Sequence, residues 1–248
     1  MVHELAKMID HSLLHPTMTD RDLEEGCALA AKYDAASVCI KPYYVARAAE
    51  LLKGTSVLVG TVIGFPHGSS TVENKVIETV EACKAGATEI DMVVNIGKVL
   101  SRDWDYIEDE IKRITDASHD NGAIIKVIFE NDFLPTDDFK IKLCEICSKV
   151  GADFVKTSTG YGFVKGDDGK YSYKGATEHD LKLMRQHSAP QVQVKAAGGV
   201  RTLDELIKVR SWGVTRVGAT ATATMIEEAK RRFEGKEEVE KVVITEGY

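Results

Sequence analysis

Long apolar segments and a regular set of cysteines are both missing from this sequence of 248 residues. No apolar run approaches the roughly 18 residues that a membrane span needs, and Met1–Asp10 lacks the apolar centre of a secretion signal. The five cysteines are odd in number and irregularly spaced, which does not fit a disulfide framework. We therefore expect a cytoplasmic protein with free thiols and no membrane partner.

An excess of positive charge is missing as well. The chain has 32 lysines and arginines against 39 aspartates and glutamates, which gives a formal net charge of -7. This balance disfavours a general role in binding nucleic acid or membrane surfaces, although it is compatible with a local basic pocket for a small anion. We expect small molecules, and not nucleic acid, as partners.

Linkers are the third absence. No segment rich in Pro, Gly or Ser divides the chain, and no low-complexity segment precedes a charged tail that starts at about Arg231. Residues 1–248 are therefore interpreted as a single domain. Eight short apolar runs are candidate strands, and they lie around Met8–His11, Ala36–Ile40, Ser56–Ile63, Thr88–Val94, Ala123–Phe129, Ala152–Thr157, Gln191–Ala196 and Val214–Gly218.

Helical patterns separate these runs, and a weak internal repeat marks several of the junctions. A glycine followed by a small apolar residue joins the end of a helical pattern to the next strand at Gly86, Gly122, Gly151 and Gly213. Alternating β and α units of this kind predict an α/β fold. Eight of them favour a (β/α)8 TIM barrel, with an open doubly wound sheet as the alternative.

Lys156 ends the sixth apolar run and is the first candidate for chemistry. The segment Thr136–Val150 has helical apolar spacing, so Gly151 is a natural residue to end that helix before the strand begins. Parallel α/β folds place their active sites beyond the carboxyl ends of the strands. The pattern therefore holds the Lys156 amine on a rigid element at the edge where chemistry is expected.

Strand alternation places further charges inside the predicted barrel. In the seventh run the two valines share one face, which must pack on the helices, so Lys195 points inward. The same logic sends Asp91 and Lys126 inward, whereas both faces around Lys156 are apolar and alternation alone cannot orient it. An alternative is that these lysines are surface or salt-bridged residues in a misassigned register, and this alternative is strongest for Lys126.

Three lysines and one aspartate would form a lopsided set of charges. Mutual repulsion and partial desolvation should lower the pKa of at least one of the lysines, because an isolated charge is strongly disfavoured in a packed interior. A lysine with a lowered pKa carries a free amine for part of the time, as a Schiff-base nucleophile requires. The residue pattern thus indicates imine chemistry.

Several segments carry a resemblance to a known family over nearly the whole chain. They are Ile9–Leu14, Val38–Ile40, Ile63–Gly68, Glu89–Val93, Phe154–Gly160 and Val194–Thr202. In these segments the chain resembles the deoxyribose-phosphate aldolases, which are class I aldolases. The resemblance implies a (β/α)8 barrel without metal or other cofactor that reversibly cleaves 2-deoxy-D-ribose 5-phosphate to D-glyceraldehyde 3-phosphate and acetaldehyde.

The resemblance also implies roles for the three central residues. Lys156 takes the position of the Schiff-base lysine, and Lys195 that of the second lysine, whose charge depresses the pKa of the first. Asp91 takes the position of the carboxylate in proton transfer. Two alternatives are kept beside this reading: a Schiff-base aldolase for another phosphorylated sugar, and a barrel that binds sugar phosphates without turnover.

Glycine-rich turns are the candidates for phosphate binding, because their backbone N–H groups can approach an anion closely. These turns lie at Gly160, at Gly198-Gly199 and at Gly218, and plain turn glycines are the alternative. Relatives often have serines after the last of these glycines, where this chain has Thr220. The segment Phe163–Gly175 looks longer than usual; its lysines Lys165, Lys170 and Lys174 could help to bind phosphate, but a solvated loop is favoured.

Four cysteine and tyrosine positions complete the candidates. Cys39 has inward parity near a strand end, and the resemblance implies that it lines the pocket. Cys144 and Cys147 form a C-x-x-C pair within a helical pattern, where core thiols are favoured over a metal site. Tyr248 is hypothesised to fold over the pocket and assist proton transfer, with a frayed tail as the alternative. A homo-oligomer is possible, since barrels often dimerise.

Overall fold

The structure, a computed structural model, describes residues 1–235 and contains a closed barrel of eight parallel strands. The barrel strands are β1 (Ile9–Leu13), β2 (Ser37–Ile40), β3 (Leu58–Ile63), β4 (Glu89–Val93), β5 (Ile124–Ile128), β6 (Phe154–Lys156), β9 (Gln193–Ala197) and β10 (Arg216–Ala219). Each strand pairs with its neighbour in chain order, and β10 closes the barrel on β1. The prediction of a (β/α)8 barrel is confirmed, and the open-sheet alternative is wrong.

Helices surround this barrel and bury its outer face. They are α1 (Val2–Ala6), α2 (Asp20–Tyr33), α3 (Val45–Leu51), α4 (Val72–Lys84), α5 (Ile96–Leu100), α6 (Trp104–Asp120), α7 (Asp137–Val150), α8 (Glu178–His187), α9 (Leu203–Ser211) and α10 (Thr222–Glu234), with 3-10 turns at Pro42–Tyr44 and Asn131–Phe133. Within residues 1–235, no helix combines the length and the apolar character that a membrane crossing requires.

Local sequence signals explain where several helices begin and end. Thr19 begins α2 with a capping box, in which its side chain accepts from the Asp22 amide and the Asp22 carboxylate accepts from the Thr19 amide. Gly151 ends α7 in the left-handed conformation, with φ 81°, and the chain turns directly into the next strand. The glycine junctions therefore set the alternation of helix and strand that builds the barrel.

The structure contains elements that the sequence patterns do not predict. The short helices α1 and α5 and the two-stranded antiparallel hairpin β7 (Val164–Lys165) and β8 (Tyr171–Ser172) all fall into this group. Each is too short to show an apolar period. The hairpin lies between β6 and α8, so it follows Lys156 in the chain and rises from the carboxyl-terminal side of the barrel.

Candidate active site

Lys156 points into the barrel and is only 3% exposed. Its Nζ donates to Asp91 Oδ2 at 2.6 Å. On the next strand, Lys195 is its register partner, and that ammonium donates to the same oxygen at 2.7 Å. Lys126, from β5, donates to the other oxygen of the Asp91 carboxylate at 2.8 Å. One carboxylate thus connects three lysines from three strands.

The three lysines keep the Asp91 carboxylate ionised. Burial alone would raise the pKa of Asp91, but the ammonium groups of Lys126, Lys156 and Lys195 hold that pKa well below its usual range. The carboxylate is fully buried, so each of these ion pairs acts with little screening by water. Asp91 is therefore an ionised group that can exchange protons directly with its amine neighbours.

Lys156 and Lys195 have opposite pKa shifts. Burial lowers the pKa of Lys156, and the positive charge of Lys195 lowers it further, while Asp91 opposes both effects. Burial would also lower the pKa of Lys195, but the carboxylates of Asp10 and Asp91 outweigh it and raise that pKa above its ordinary value. The site therefore places an amine of lowered pKa beside one of raised pKa.

A second group of charges lies next to this centre. Asp10 and Glu89 are both fully buried. The Lys126 ammonium donates to Glu89 Oε2 at 2.7 Å, and its pKa is raised well above normal because three carboxylates outweigh its burial. Asp10 accepts from Lys195 and from the Arg216 guanidinium, which also donates to Glu89 at 3.0 Å.

These partners correct the expectation of a lopsided charge set. Asp10, Glu89 and Arg216 were not among the predicted site residues, and the two carboxylates balance most of the lysine charge. Burial, rather than repulsion among lysines, is the first cause of the lowered pKa of Lys156. Lys126 is salt-bridged, to Glu89 and Asp91, as the alternative interpretation proposed. It nevertheless lies inside the barrel, as strand alternation predicted.

Cys39 lies beside the Asp91 carboxylate, with its Sγ 3.9 Å from Asp91 Oδ2. Burial raises the pKa of this thiol, and the Asp91 carboxylate raises it further, so the thiol is neutral. Leu14 and Val62 pack around it, with Phe65 and Tyr161 above them. These apolar residues also line a cavity of about 310 Å³ that extends over the β1–β3 side of the barrel mouth.

The predicted phosphate-binding glycines lie on the other side of the mouth. Gly160, Gly198 and Gly199 follow the adjacent strands β6 and β9 and have positive φ angles of 93°, 85° and 95°. Gly218 lies within β10, where a Cβ would be 3.5 Å from Lys195 Cε. Thr220 is exposed between β10 and α10. The structure therefore places these residues in or directly after three neighbouring strands, β6, β9 and β10.

Glu130 is a buried carboxylate that the sequence patterns do not predict. It follows β5 with a left-handed backbone, φ 57°, and accepts hydrogen bonds from the Thr159 amide at 3.2 Å and from the Thr159 hydroxyl. Burial raises the pKa of Glu130. Gly162 passes close to this carboxyl, since a Cβ there would lie 2.6 Å from Glu130 Cδ. Glu130 thereby holds the loop that follows Lys156.

The remaining candidates fall outside this site. Lys165, Lys170 and Lys174 are exposed to solvent, as favoured from the sequence, and part of their segment forms a two-stranded hairpin instead of an irregular loop. Cys144 and Cys147 are buried in α7, as predicted for core thiols. The prediction for Tyr248 lies outside the described residues.

Metal-ligating side chains gather at one place within residues 1–235, away from the barrel interior. Asp137, His179 and Asp180 meet at the starts of α7 and α8. The Lys140 ammonium already donates to both aspartates, and His179 Nε2 is 2.7 Å from Asp137. These residues therefore form a local cluster of ion pairs between α7 and α8.

The site thus combines a buried lysine of lowered pKa at the carboxyl end of a barrel strand with a carboxylate and a second lysine of raised pKa. The family profile described as DeoC/LacD family aldolase matches residues 5–220. The chain belongs to this family, and it is an aldolase, a carbon–carbon lyase.

Named relatives cover nearly the whole chain. It is 52% identical over 231 residues to the deoxyribose-phosphate aldolase of Rhodopirellula baltica, covering 93% of this chain and 91% of the relative. It is 47% identical over 224 residues to the Clostridium perfringens enzyme of the same name, covering 90% and 95%. The tetrameric deoxyribose phosphate aldolase structure from Aeropyrum pernix superposes with a TM-score of 0.82 at 28% identity, covering 93% and 92%.

Proposed function

We propose that this aldolase reversibly cleaves 2-deoxy-D-ribose 5-phosphate to D-glyceraldehyde 3-phosphate and acetaldehyde through a Schiff base on Lys156. The observation that carries the proposal is the pair of lysines on one carboxylate oxygen, with the pKa of Lys156 lowered and that of Lys195 raised. The names of relatives that are 52% and 47% identical over nine-tenths of the chain support the substrate.

In the first half of the reaction, the neutral Lys156 amine adds to the C1 carbonyl of the open-chain sugar. The carbinolamine loses water and becomes an iminium ion. When the C2–C3 bond breaks, its electron pair moves into the iminium, and the C3 hydroxyl loses its proton to become the aldehyde of the departing triose phosphate. The iminium carbon is the electron sink, so the residues already present account for this step, and we expect no metal or other cofactor.

In the second half, the enamine takes a proton at C2, and water releases acetaldehyde and restores the amine. Asp91 contacts both Lys156 and Lys195, so protons can pass between the reacting nitrogen and a charged reservoir over distances of 2.6 and 2.7 Å. The low pKa of Asp91 returns it to the ionised state after each transfer. Lys195 keeps its charge and thereby favours the neutral amine on Lys156.

At its other end, the substrate carries a phosphate. We assign it to the turns at Gly160 and Gly198-Gly199 and to Gly218 in β10, with the Thr220 hydroxyl close to the start of α10. Three of these glycines have positive φ angles, so their backbone N–H groups can point into a concave turn that suits an anion. The mostly apolar cavity over the β1–β3 side of the mouth extends as far as Tyr161, the residue after Gly160.

Borohydride reduction in the presence of acetaldehyde tests the imine directly. The protein is reduced without added metal, digested and mapped by mass spectrometry. We expect a reduced two-carbon adduct on Lys156. An adduct on Lys195 or Lys126 would keep imine chemistry but overturn the assignment of the nucleophile. No adduct, under conditions that trap another class I aldolase, would overturn the imine proposal and favour a protein that binds sugar phosphates without turnover. If the adduct forms on Lys156, comparing sugar phosphates for cleavage identifies the substrate.

A further inference from the structure

The segment between β6 and α8 is docked on the barrel mouth by its backbone. The Asp132 carboxylate accepts from the Lys174 amide at 2.7 Å and from the Gly175 amide at 2.9 Å. The Ala176 amide donates to the carbonyl of Gly198 at 2.9 Å. These bonds join the end of the hairpin segment to the turn after β9, which is one of the proposed phosphate-binding turns.

This docking places the Tyr173 hydroxyl directly on that turn. A Cβ on Gly198 would lie only 1.9 Å from Tyr173 Oη, so the phenol occupies the space that a side chain would need. Gly175 approaches the same turn, because a Cβ there would lie 2.7 Å from the Gly198 carbonyl oxygen. The ring of Phe163 supports Tyr173 from the hairpin, with ring centroids 5.4 Å apart. Tyr173 is thus held at a defined position.

Two buried hydroxyls meet at this position. Tyr173 Oη and Ser158 Oγ are both inaccessible to solvent, and neither has a hydrogen-bond partner of good geometry among the described residues. The two hydroxyls are neighbours, and the interaction with Ser158 lowers the pKa of Tyr173 against the larger effect of burial. Ser158 is fully buried and lies two residues after Lys156. Buried hydroxyls are normally paired, so two that lack a well-formed hydrogen bond are candidates for contact with a ligand.

The surroundings keep the phenol protonated. Burial raises the pKa of Tyr173, and the carboxylates of Glu130 and Asp132 raise it further, while Arg201 partly opposes them. Both carboxylates already accept hydrogen bonds from backbone amides, those of Thr159 and of the hairpin segment. At neutral pH the pair therefore offers two neutral O–H donors, with the Arg201 cation nearby, and this combination suits an anionic oxygen acceptor.

We infer that Tyr173 is a specificity-determining residue for the phosphorylated substrate, and that its hydroxyl, together with that of Ser158, donates to the phosphoryl oxygens of a sugar phosphate bound at the Gly198 turn. The inference rests on the proposed function, which places the phosphate at this turn. It assigns a role to the hairpin segment, which supplies a binding group from outside the regular barrel units.

Tyr173→Phe tests this inference because it removes only the hydroxyl and keeps the ring. Tyr171→Phe is the matched control, since Tyr171 lies on the same hairpin and is 67% exposed. Cleavage of 2-deoxyribose 5-phosphate and of unphosphorylated 2-deoxyribose is measured for both variants and for Ser158→Ala, with thermal melting to confirm the fold. For Tyr173→Phe we expect the preference for the phosphorylated sugar, as a ratio of kcat/KM, to fall about tenfold through KM. The ratio for Tyr171→Phe should stay within about twofold.

An unchanged ratio, an equal rise in KM for both sugars, or a lower KM in Tyr173→Phe would each overturn the inference. If the wild-type protein cleaves neither sugar, the proposed function fails, and titration calorimetry with inorganic phosphate decides the inference separately. Weaker binding by Tyr173→Phe than by Tyr171→Phe would then support the hydroxyl contact, and equal binding would overturn it.

Discussion

Lys156 and Lys195 are register partners on neighbouring strands and donate to the same oxygen of Asp91, yet their pKa values move in opposite directions. The difference comes from a second carboxylate. Lys195 also pairs with Asp10, whereas Lys156 has Asp91 as its one carboxylate partner within the described residues. Two lysines of identical side-chain chemistry therefore differ in pKa because of their carboxylate partners and their burial.

Lys156→Ala should remove the reaction while leaving the fold. Without the amine no imine forms, so we expect cleavage of the sugar phosphate to fall by at least about 10³-fold and the borohydride adduct to disappear. Lys165→Ala, at an exposed lysine nine residues later in the chain, is the matched control and should retain the adduct. A substantial adduct in the Lys156→Ala protein would show that another lysine is the nucleophile.

Lys195→Leu should shift the pH dependence of imine formation. The charge of Lys195 lowers the pKa of Lys156, so its removal raises that pKa and reduces the fraction of neutral amine at a given pH. The acid limb of the rate against pH should therefore move to higher pH, as followed by cyanoborohydride trapping with acetaldehyde. Lys195→Arg keeps the positive charge and should move the limb less. An unchanged limb in Lys195→Leu would refute the charge effect.

Asp10→Asn should weaken the fold and change its response to acid. The cations of Lys126, Lys195 and Arg216 hold the pKa of Asp10 below its ordinary value, although burial opposes them. The unfolded chain therefore takes up a proton at about pH 3.9, where the native chain does not, and stability falls as the pH drops below that value. Removing the charge should flatten this fall and cost about 3–5 kcal/mol at pH 7.

Urea unfolding at pH 7, 5 and 3 measures both effects. Asp204→Asn serves as the control, because Asp204 pairs with Arg232 at the exposed surface and should contribute at most about 1 kcal/mol. If Asp10→Asn lost stability with acid as steeply as the wild-type protein, Asp10 would not be the group responsible for the acid response.

Gly198→Ala should damage both stability and substrate binding. The residue has φ 85°, and its new Cβ would meet the Tyr173 hydroxyl at 1.9 Å, so the hairpin segment must move. Gly122→Ala is the matched control, since it has φ 75° and no atom within 4 Å of the new Cβ. It should cost only the strain of the left-handed backbone, about 1–2 kcal/mol. Equal losses of stability, with no rise in KM for Gly198→Ala, would contradict the close packing seen here.

Strand alternation predicted the interior positions of Asp91, Lys126 and Lys195, because a period of two leaves one choice once the outer face is apolar. Glu89 lies two residues before Asp91 and so shares its face, and the same rule would have found it. Asp10 lies in an apolar run that is too short to show alternation. For Asp91, Lys126, Lys195 and Glu89, by contrast, the side-chain orientation follows from neighbouring residues in the sequence.

Other parts of the site could not be predicted from periodicity. Glu130 follows the end of its strand with a left-handed backbone, where the period of two no longer applies. The hairpin strands have two residues each, so they carry no pattern, and Tyr173 contacts the Gly198 turn although the two are separated in sequence. The pairing of Lys195 with Asp10 spans 185 residues of sequence, and only the closure of the barrel brings the two together.

Apart from Lys156, the positive and negative side chains of the charge cluster inside the barrel are equal in number. Lys126, Lys195 and Arg216 carry three positive charges, and Asp10, Glu89 and Asp91 carry three negative charges. The interior is therefore uncharged when Lys156 is a free amine, and it gains one positive charge when that amine is protonated. In the proposed reaction the iminium ion on Lys156 adds the same single charge. The electrons of the breaking bond remove this charge when they move into the iminium, so the balance of the surrounding charges favours that movement.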